Sequence, residues 1–223
     1  MHLTRADHQK KVVRTLSAAQ VLNGVGVTGT VAAGSLLVAS ISNSEALAGL
    51  AQTTSVMGAA AMALPLAKLT QRGGRRLALS VGYGVGVVGA VLAILGGTHK
   101  ILFLMLAGAF LVGAASASGY QARFAAIDLA TPEHRSKNLS IVVWGSTVGA
   151  VTGPNLMQPS GNFAEFIGLP RLVGPYFIAA SSLMLAIIVI QIFLKPDPYL
   201  TANVAADGIT QKKHVPTKVA LRH

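Results

Sequence analysis

The chain has 223 residues, of which 52% are hydrophobic and only 11% charged; a soluble globular domain carries charge on about a quarter of its positions. So few charges cannot make a water-facing surface. Cysteine is absent, which removes disulfides, thiolate nucleophiles and cysteine metal sites from consideration.

The charges fall in clusters, and between them lie six charge-free stretches: residues 15 to 44, 46 to 67, 77 to 99, 101 to 122, 138 to 164 and 172 to 194. A helix rising about 1.5 Å per residue crosses the roughly 30 Å hydrocarbon core with about 20 residues, so each stretch can span a bilayer. None shows the alternation of a membrane β-barrel strand. The expected fold is therefore an all-α, polytopic bundle of six transmembrane helices.

In chain order, residues 1 to 14 form a basic leading segment. The first stretch is longer than the apolar core of a signal peptide, about 7 to 15 residues, and is expected to be a retained helix with Gln20, Asn23, Thr28 and Thr30 along it. The second carries Gln52, Thr53 and Thr54 and ends in a basic loop; the third has Gly82 and Gly86 at a close-packing spacing. In the fourth lie Ser116, Ser118, Tyr120 and Gln121, with Arg123 at its inner boundary.

The fifth stretch contains Trp144, Thr147, Thr152 and Asn155, and Gly145, Gly149 and Gly153 recur every fourth residue before Pro154. Close helix packing is expected at those glycines, with a bend at the proline. The sixth stretch is bulky and apolar on all sides and is expected to face lipid. The polar residues of the first, second, fourth and fifth stretches are expected to surround an interior. Asn23, Gln52, Tyr120, Gln121, Arg123, Trp144 and Asn155 are the cavity candidates.

Basic residues set orientation, because Lys and Arg accumulate on the cytoplasmic side. Sixteen of the 18 fall in the leading segment, the second and fourth loops and the tail, whereas the other loops hold only Lys100 and Arg171. Both termini are thus expected in the cytoplasm, and the net charge of +11 reads as a topology signal rather than a nucleic-acid surface.

The second loop, AKLTQRGGRR over residues 67 to 76, resembles the signature loop of the major facilitator superfamily, usually GxLADRxGRR. Leu69, Arg72, Gly74, Arg75 and Arg76 stand on matching positions. Ala67 replaces the usual Gly, and Gln71 replaces an Asp that in the family makes charged gating contacts. The fifth stretch, from Gly145 to Pro154, is similar to the glycine-proline element of proton-coupled efflux members. Residues 119 to 135 resemble the fourth-helix end and following loop of bacterial members.

The resemblance covers residues 15 to 195 and implies one six-helix, 3+3 inverted-repeat half of a twelve-helix transporter with substrate bound between halves. Residues 196 to 223 then read as a cytoplasmic tail or the start of an inter-half linker. A plasma-membrane protein is implied, with lipid, a small solute and a second half or homodimer as partners, and with no nucleic acid and no cofactor. A truncated, non-transporting fragment or assembly partner is the alternative.

Asp7, Glu45, Asp128, Glu133, Glu165, Asp197 and Asp207 all lie near or beyond the expected helix ends, so no carboxylate stands ready to carry a proton at the midplane. The fourth stretch also lacks the outer arginine of many efflux members. The six histidines lie near or outside helix ends and form no metal-ligand spacing such as HExxH, so an enzyme is not expected. Arg123 is the charge placed deepest, and Asp128, five residues on, is poorly spaced for an in-helix pair.

The topology is directly testable. Reporter fusions after Arg76 and at His223 are expected to be cytoplasmic and one beside Lys100 external; an external His223 would reject an even number of spans.

Overall fold

A computed structural model describes residues 5 to 204; the tail cations Lys212, Lys213, Lys218 and Arg222, and Asp207, lie outside the described residues. No strand occurs among the described residues. Inside hydrocarbon each backbone N–H and C=O must find its partner within the chain, and helices satisfy all of them locally.

The first helix, α1 (Arg5–Ser42), is 38 residues long, about 57 Å at 1.5 Å per residue. It exceeds the expected first span because no proline or glycine interrupts residues 5 to 23. Its projecting turns are anchored by side chains. Gln9 Nε2 donates to the Ala126 carbonyl at 2.7 Å, Lys11 Nζ donates to that of Lys195 at 3.3 Å, and His8 Nε2 lies 3.2 Å from that of Pro196.

Two spans and a loop were expected over residues 46 to 99. Two helices are found, the limbs of α2 (Leu50–Thr98), and the basic segment between them is helical up to a sharp turn at Gly74, where φ is 82° and ψ 175°. The two limbs are antiparallel. A Cβ on Gly58 would strike the backbone of Phe110, and Leu66 lies against Gly82 beside Ser118, so the first limb runs parallel to α3 (Leu102–Ala125). The second limb sets Gly82 against Ser118, Gly89 against Val112 and Gly96 against Met105, and so runs antiparallel to it.

The expected fifth span is also divided, into α4 (Arg135–Asn155) and α5 (Met157–Phe166). Pro154 has no N–H to offer the carbonyl four residues earlier, which weakens the helix there. The Leu156 N–H closes the end on the carbonyls of Thr152 and Gly153 at 3.2 and 3.1 Å. The chain returns through α6 (Gly174–Phe193). Four helical stretches, Asp7–Ser42, Glu45–Thr98, Leu102–Ala125 and Arg171–Val204, are long and apolar enough to cross a membrane, and the second holds both limbs of α2. The less apolar α4 is not among them.

Helix α1 is central. It meets α4 in parallel, Gly145 on Ser17, Gly149 on Val21 and Gly24, Gly153 on Val25. It meets α6 and α3 antiparallel, through Gly26 on Ala179 and Gly34 on Tyr176, and through Asn23 on Gly119 and Gly34 on Met105. This alternation gathers residues 8 to 11, 72 to 76, 121 to 128 and 195 to 199 at one end of the bundle, here called the basic end.

The core has two layers. Leu16, Leu79, Tyr83, Leu183 and Ile190 form one, and Leu37, Ala93, Met105 and Tyr176 the other. On α6 the buried face is Ala179, Leu183, Ala186 and Ile190, while Met184, Leu185, Ile188 and Ile192 are exposed, an apolar surface suited to acyl chains.

The tightest approach predicts a contrast between two glycines. A Cβ on Gly149 would stand 2.5 Å from the Val21 carbonyl oxygen and 2.7 Å from Gly24 Cα, whereas one on Gly84 meets nothing within 4 Å. Gly149→Ala is expected to destabilise the protein by about 1–3 kcal/mol, as overpacking does. Gly84→Ala is expected to be neutral or to stabilise by up to about 1 kcal/mol through helix propensity. Thermal unfolding in detergent reads the difference.

Candidate functional site

At the basic end the break at Gly74 aims the two following arginines at different carboxylates. Arg75 is buried and forks onto Asp128, Nε to Oδ2 at 2.8 Å and Nη2 to Oδ1 at 3.1 Å, while Nη1 donates to Gln121 Oε1 at 2.8 Å. Its guanidinium also lies 5.6 Å from the centre of the Tyr199 ring. Both partners of the ion pair are largely shielded, with side-chain exposures of 11% and 14%, and paired planar donors give this contact a fixed geometry as well as strength.

Asp197 secures the turn from the other side. Its Oδ2 accepts the Arg76 backbone N–H at 2.7 Å, and its Oδ1 accepts those of Tyr199 and Leu200 at 3.0 and 3.3 Å. The carboxylate stands where a side chain on residue 74 would begin, 2.5 Å from the position of a Cβ. Position 74 thus combines a positive φ with no space for a Cβ, and only glycine meets both conditions.

Of the loop residues singled out by sequence, Gly74, Arg75 and Arg76 take part in this arrangement; Gln71 and Arg72 are exposed and Leu69 is half-buried. Sequence reasoning weighed Asp128 only against Arg123 and did not connect Asp197 to the loop. The available signal was weak, that each lies within five residues of a basic side chain beyond an expected helix end. In the loop after α3, hydrogen bonds from its own backbone N–H and the Thr131 hydroxyl, with His134 nearby, hold the Glu133 carboxyl below the usual range.

Above the turn, α1, the first limb of α2 and α3 enclose a cleft of about 430 Å³. Val27, Val31, Val56 and a run of alanines make an apolar wall, with polar groups from Gln52, Ser55, Ser116, Tyr120 and Gln121. Gln52, Tyr120 and Gln121 among the cavity candidates therefore share one cleft. Arg123 does not line it, but its guanidinium lies 5.1 Å from the ring centre of Tyr120, which does. Asn23 is buried and faces Gly119.

Trp144, 69% exposed, and Asn155 do not line the cleft. They share a face of α4 with Val148 and Val151, roughly a quarter-turn from the glycines on α1, and Asn155 Nδ2 donates to its own helix at Val151. Gln121 belongs to two sites at once, because it lines the cleft and accepts from Arg75.

The family model of the Major Facilitator Superfamily matches residues 16–222. The chain belongs to the Major Facilitator Superfamily. It is similar to two proteins of Bacillus subtilis (strain 168), "Uncharacterized MFS-type transporter YdeG", 37% identical over 194 residues, and "Uncharacterized MFS-type transporter YddS", 35% identical over 202. These alignments cover 87% and 89% of this chain but 45% and 46% of the relatives. The "Riboflavin transporter RfnT" of Brucella anthropi is 28% identical over 155 residues, 70% of this chain and 39% of that protein.

The chain thus spans about half the length of the curated relatives it matches. No solved structure matches it. The fold is an all-α, membrane-embedded half of the superfamily architecture, and the superfamily consists of transporters rather than enzymes.

The Arg75–Asp128 pair predicts energetic coupling. Asp128→Asn and Arg75→Gln are each expected to lower stability, because each leaves a shielded partner incompletely satisfied. Their combination is expected to cost less than the sum, with a coupling of about 1–3 kcal/mol. A double-mutant cycle from thermal or denaturant unfolding measures it, and strict additivity would remove the pair from the structural account.

Proposed function

We propose that the chain supplies one wall of a solute path and moves a small solute by alternating access, with a second six-helix half or a second copy providing the opposite wall. The cleft among α1, α2 and α3 carries this reading. Gln52 and Tyr120 are exposed within it, and uncompensated polar groups are costly against hydrocarbon. The length of the relatives, about twice that of the chain, supports a second wall.

Residues 15 to 195 act as the bundle, 1 to 14 as its cytoplasmic lead and 196 to 223 as a cytoplasmic tail or linker, in the plasma membrane, which is the inner membrane of a bacterium. The loop around Leu69, Gln71, Arg72, Gly74, Arg75 and Arg76 works as the gate. Gln121 gives it a physical link to the cleft, since a solute that displaces this amide also removes a bond from Arg75. Asn23 and Arg123 belong to the cleft's polar edge, and Trp144 and Asn155 to a face for the opposite wall. Gly145, Gly149, Gly153 and Pro154 fix the packing and the bend that hold these faces in place.

The absence of native cysteine makes the test clean. Single cysteines at Gln52 and Tyr120 are expected to react with a small hydrophilic maleimide in native membranes, and one at Ile188, on the apolar face of α6, to resist it. Crosslinking from position 144 is expected to capture a second copy or a separate six-helix protein. A monomer whose positions 52 and 120 behave like position 188 would overturn the reading in favour of a non-transporting fragment.

A further inference from the structure

Arg123 has an environment that the proposed path does not by itself explain. A side chain in an α-helix leans toward the helix N-terminus, and for α3 that direction leads away from the basic end and into the bundle. The guanidinium lies 5.1 Å from the centre of the Tyr120 ring, which comes one turn earlier on α3.

Its Nε is buried without a hydrogen-bond partner, and among the described residues no carboxylate pairs with it. Asp128, the nearest in sequence, is taken by Arg75, Asp197 by backbone N–H groups, and Glu165 lies 3.5 Å from Arg171. The Tyr120 ring attracts the cation, and the nearby α1 amides Gln20 and Asn23 have buried oxygens without donors. Neither a ring face nor an amide neutralises a charge, and an ionised side chain at membrane depth calls for a counter-charge or water.

The cleft beside it has no carboxylate on its wall. A cationic solute would meet like charge with nothing to balance it, and a neutral one would leave the guanidinium unpaired. We propose that the solute is an organic anion: its apolar body lies on the Val27, Val31 and Val56 wall, and its carboxylate or other anionic oxygens are received by Arg123 over the Tyr120 ring. The inference rests on the cleft being the solute site. The planar fork of arginine takes two oxygens at once, which lysine cannot do, so Arg123 selects for charge and Tyr120 positions it.

An anionic lipid headgroup could present the same oxygens, and the test separates the two. The full chain in phosphatidylcholine nanodiscs is equilibrated with naphthalene-2-carboxylate, its carboxamide and 2-naphthylmethylammonium, then again with phosphatidylglycerol added. The wild type is expected to bind the carboxylate about tenfold or more tighter than the carboxamide, the scale of a charge-assisted pair, to bind the ammonium weakest, and to keep that order with phosphatidylglycerol present. Arg123→Gln is expected to bring the carboxylate down toward the carboxamide, whose own binding falls far less, and Arg123→Lys to fall between.

Equal binding of the three probes, or a carboxylate preference that survives Arg123→Gln, overturns the anion assignment and leaves the cleft in place. A preference lost on adding phosphatidylglycerol assigns Arg123 to lipid. If none of the probes binds the wild type, the solute cleft itself is overturned. The wild-type comparison decides the matter even if a variant does not fold.

Discussion

Helices inside a bilayer gain little from the hydrophobic effect, because lipid tails are as apolar as leucine, and how tightly they associate depends on how closely their backbones approach. In this protein that constraint is met along α1. Gly24 and Gly149 bring α1 and α4 together with no space for a Cβ between them, Gly26 admits α6, and Gly119 admits the α1 amides against α3. The alternating directions of the spans, the position of the cleft and the gathering of the basic end all follow from a central helix that small residues allow its neighbours to approach.

Charge then fixes the end of the bundle. Four segments far apart in sequence meet there, and two carboxylates tie three of them: Asp128 grips the Arg75 side chain, while Asp197 takes the Arg76 backbone and fills the space beside Gly74. The positive charge of the loop is thus structural material, since a fork of five fixed donors can bind a carboxylate and an amide together. The loop around Gly74 is a break in a continuous helix, which makes it stiff and dependent on these partners.

The cleft and this cross-tied end share Gln121, and Arg123 lies against Tyr120 on the cleft wall. Among the described residues Arg75 has a carboxylate partner and Arg123 has none, although both arise at the same end of the bundle. On the proposed reading the first holds the fold and the second meets what enters the cleft.

The all-α, membrane-embedded class was legible in the sequence, because crossing hydrocarbon excludes charge over about 20 residues and that exclusion is a property of composition. The bias of Lys and Arg, the glycines of α4 and the basic loop were legible for similar local reasons. What composition does not hold is the rotation of one helix against another. The outward position of Trp144, the choice of Asp128 for Arg75 rather than Arg123, and the reach of Asp197 to Gly74 depend on which faces meet across separations of 53 and more than 100 residues. The stop at Leu156, by contrast, is local, since it follows Pro154 and closes on the carbonyls of Thr152 and Gly153. The sequence by itself determined an all-α, membrane-embedded chain with its basic residues in clusters; only the tertiary structure decided which charges are satisfied, because pairing requires two side chains to meet in space.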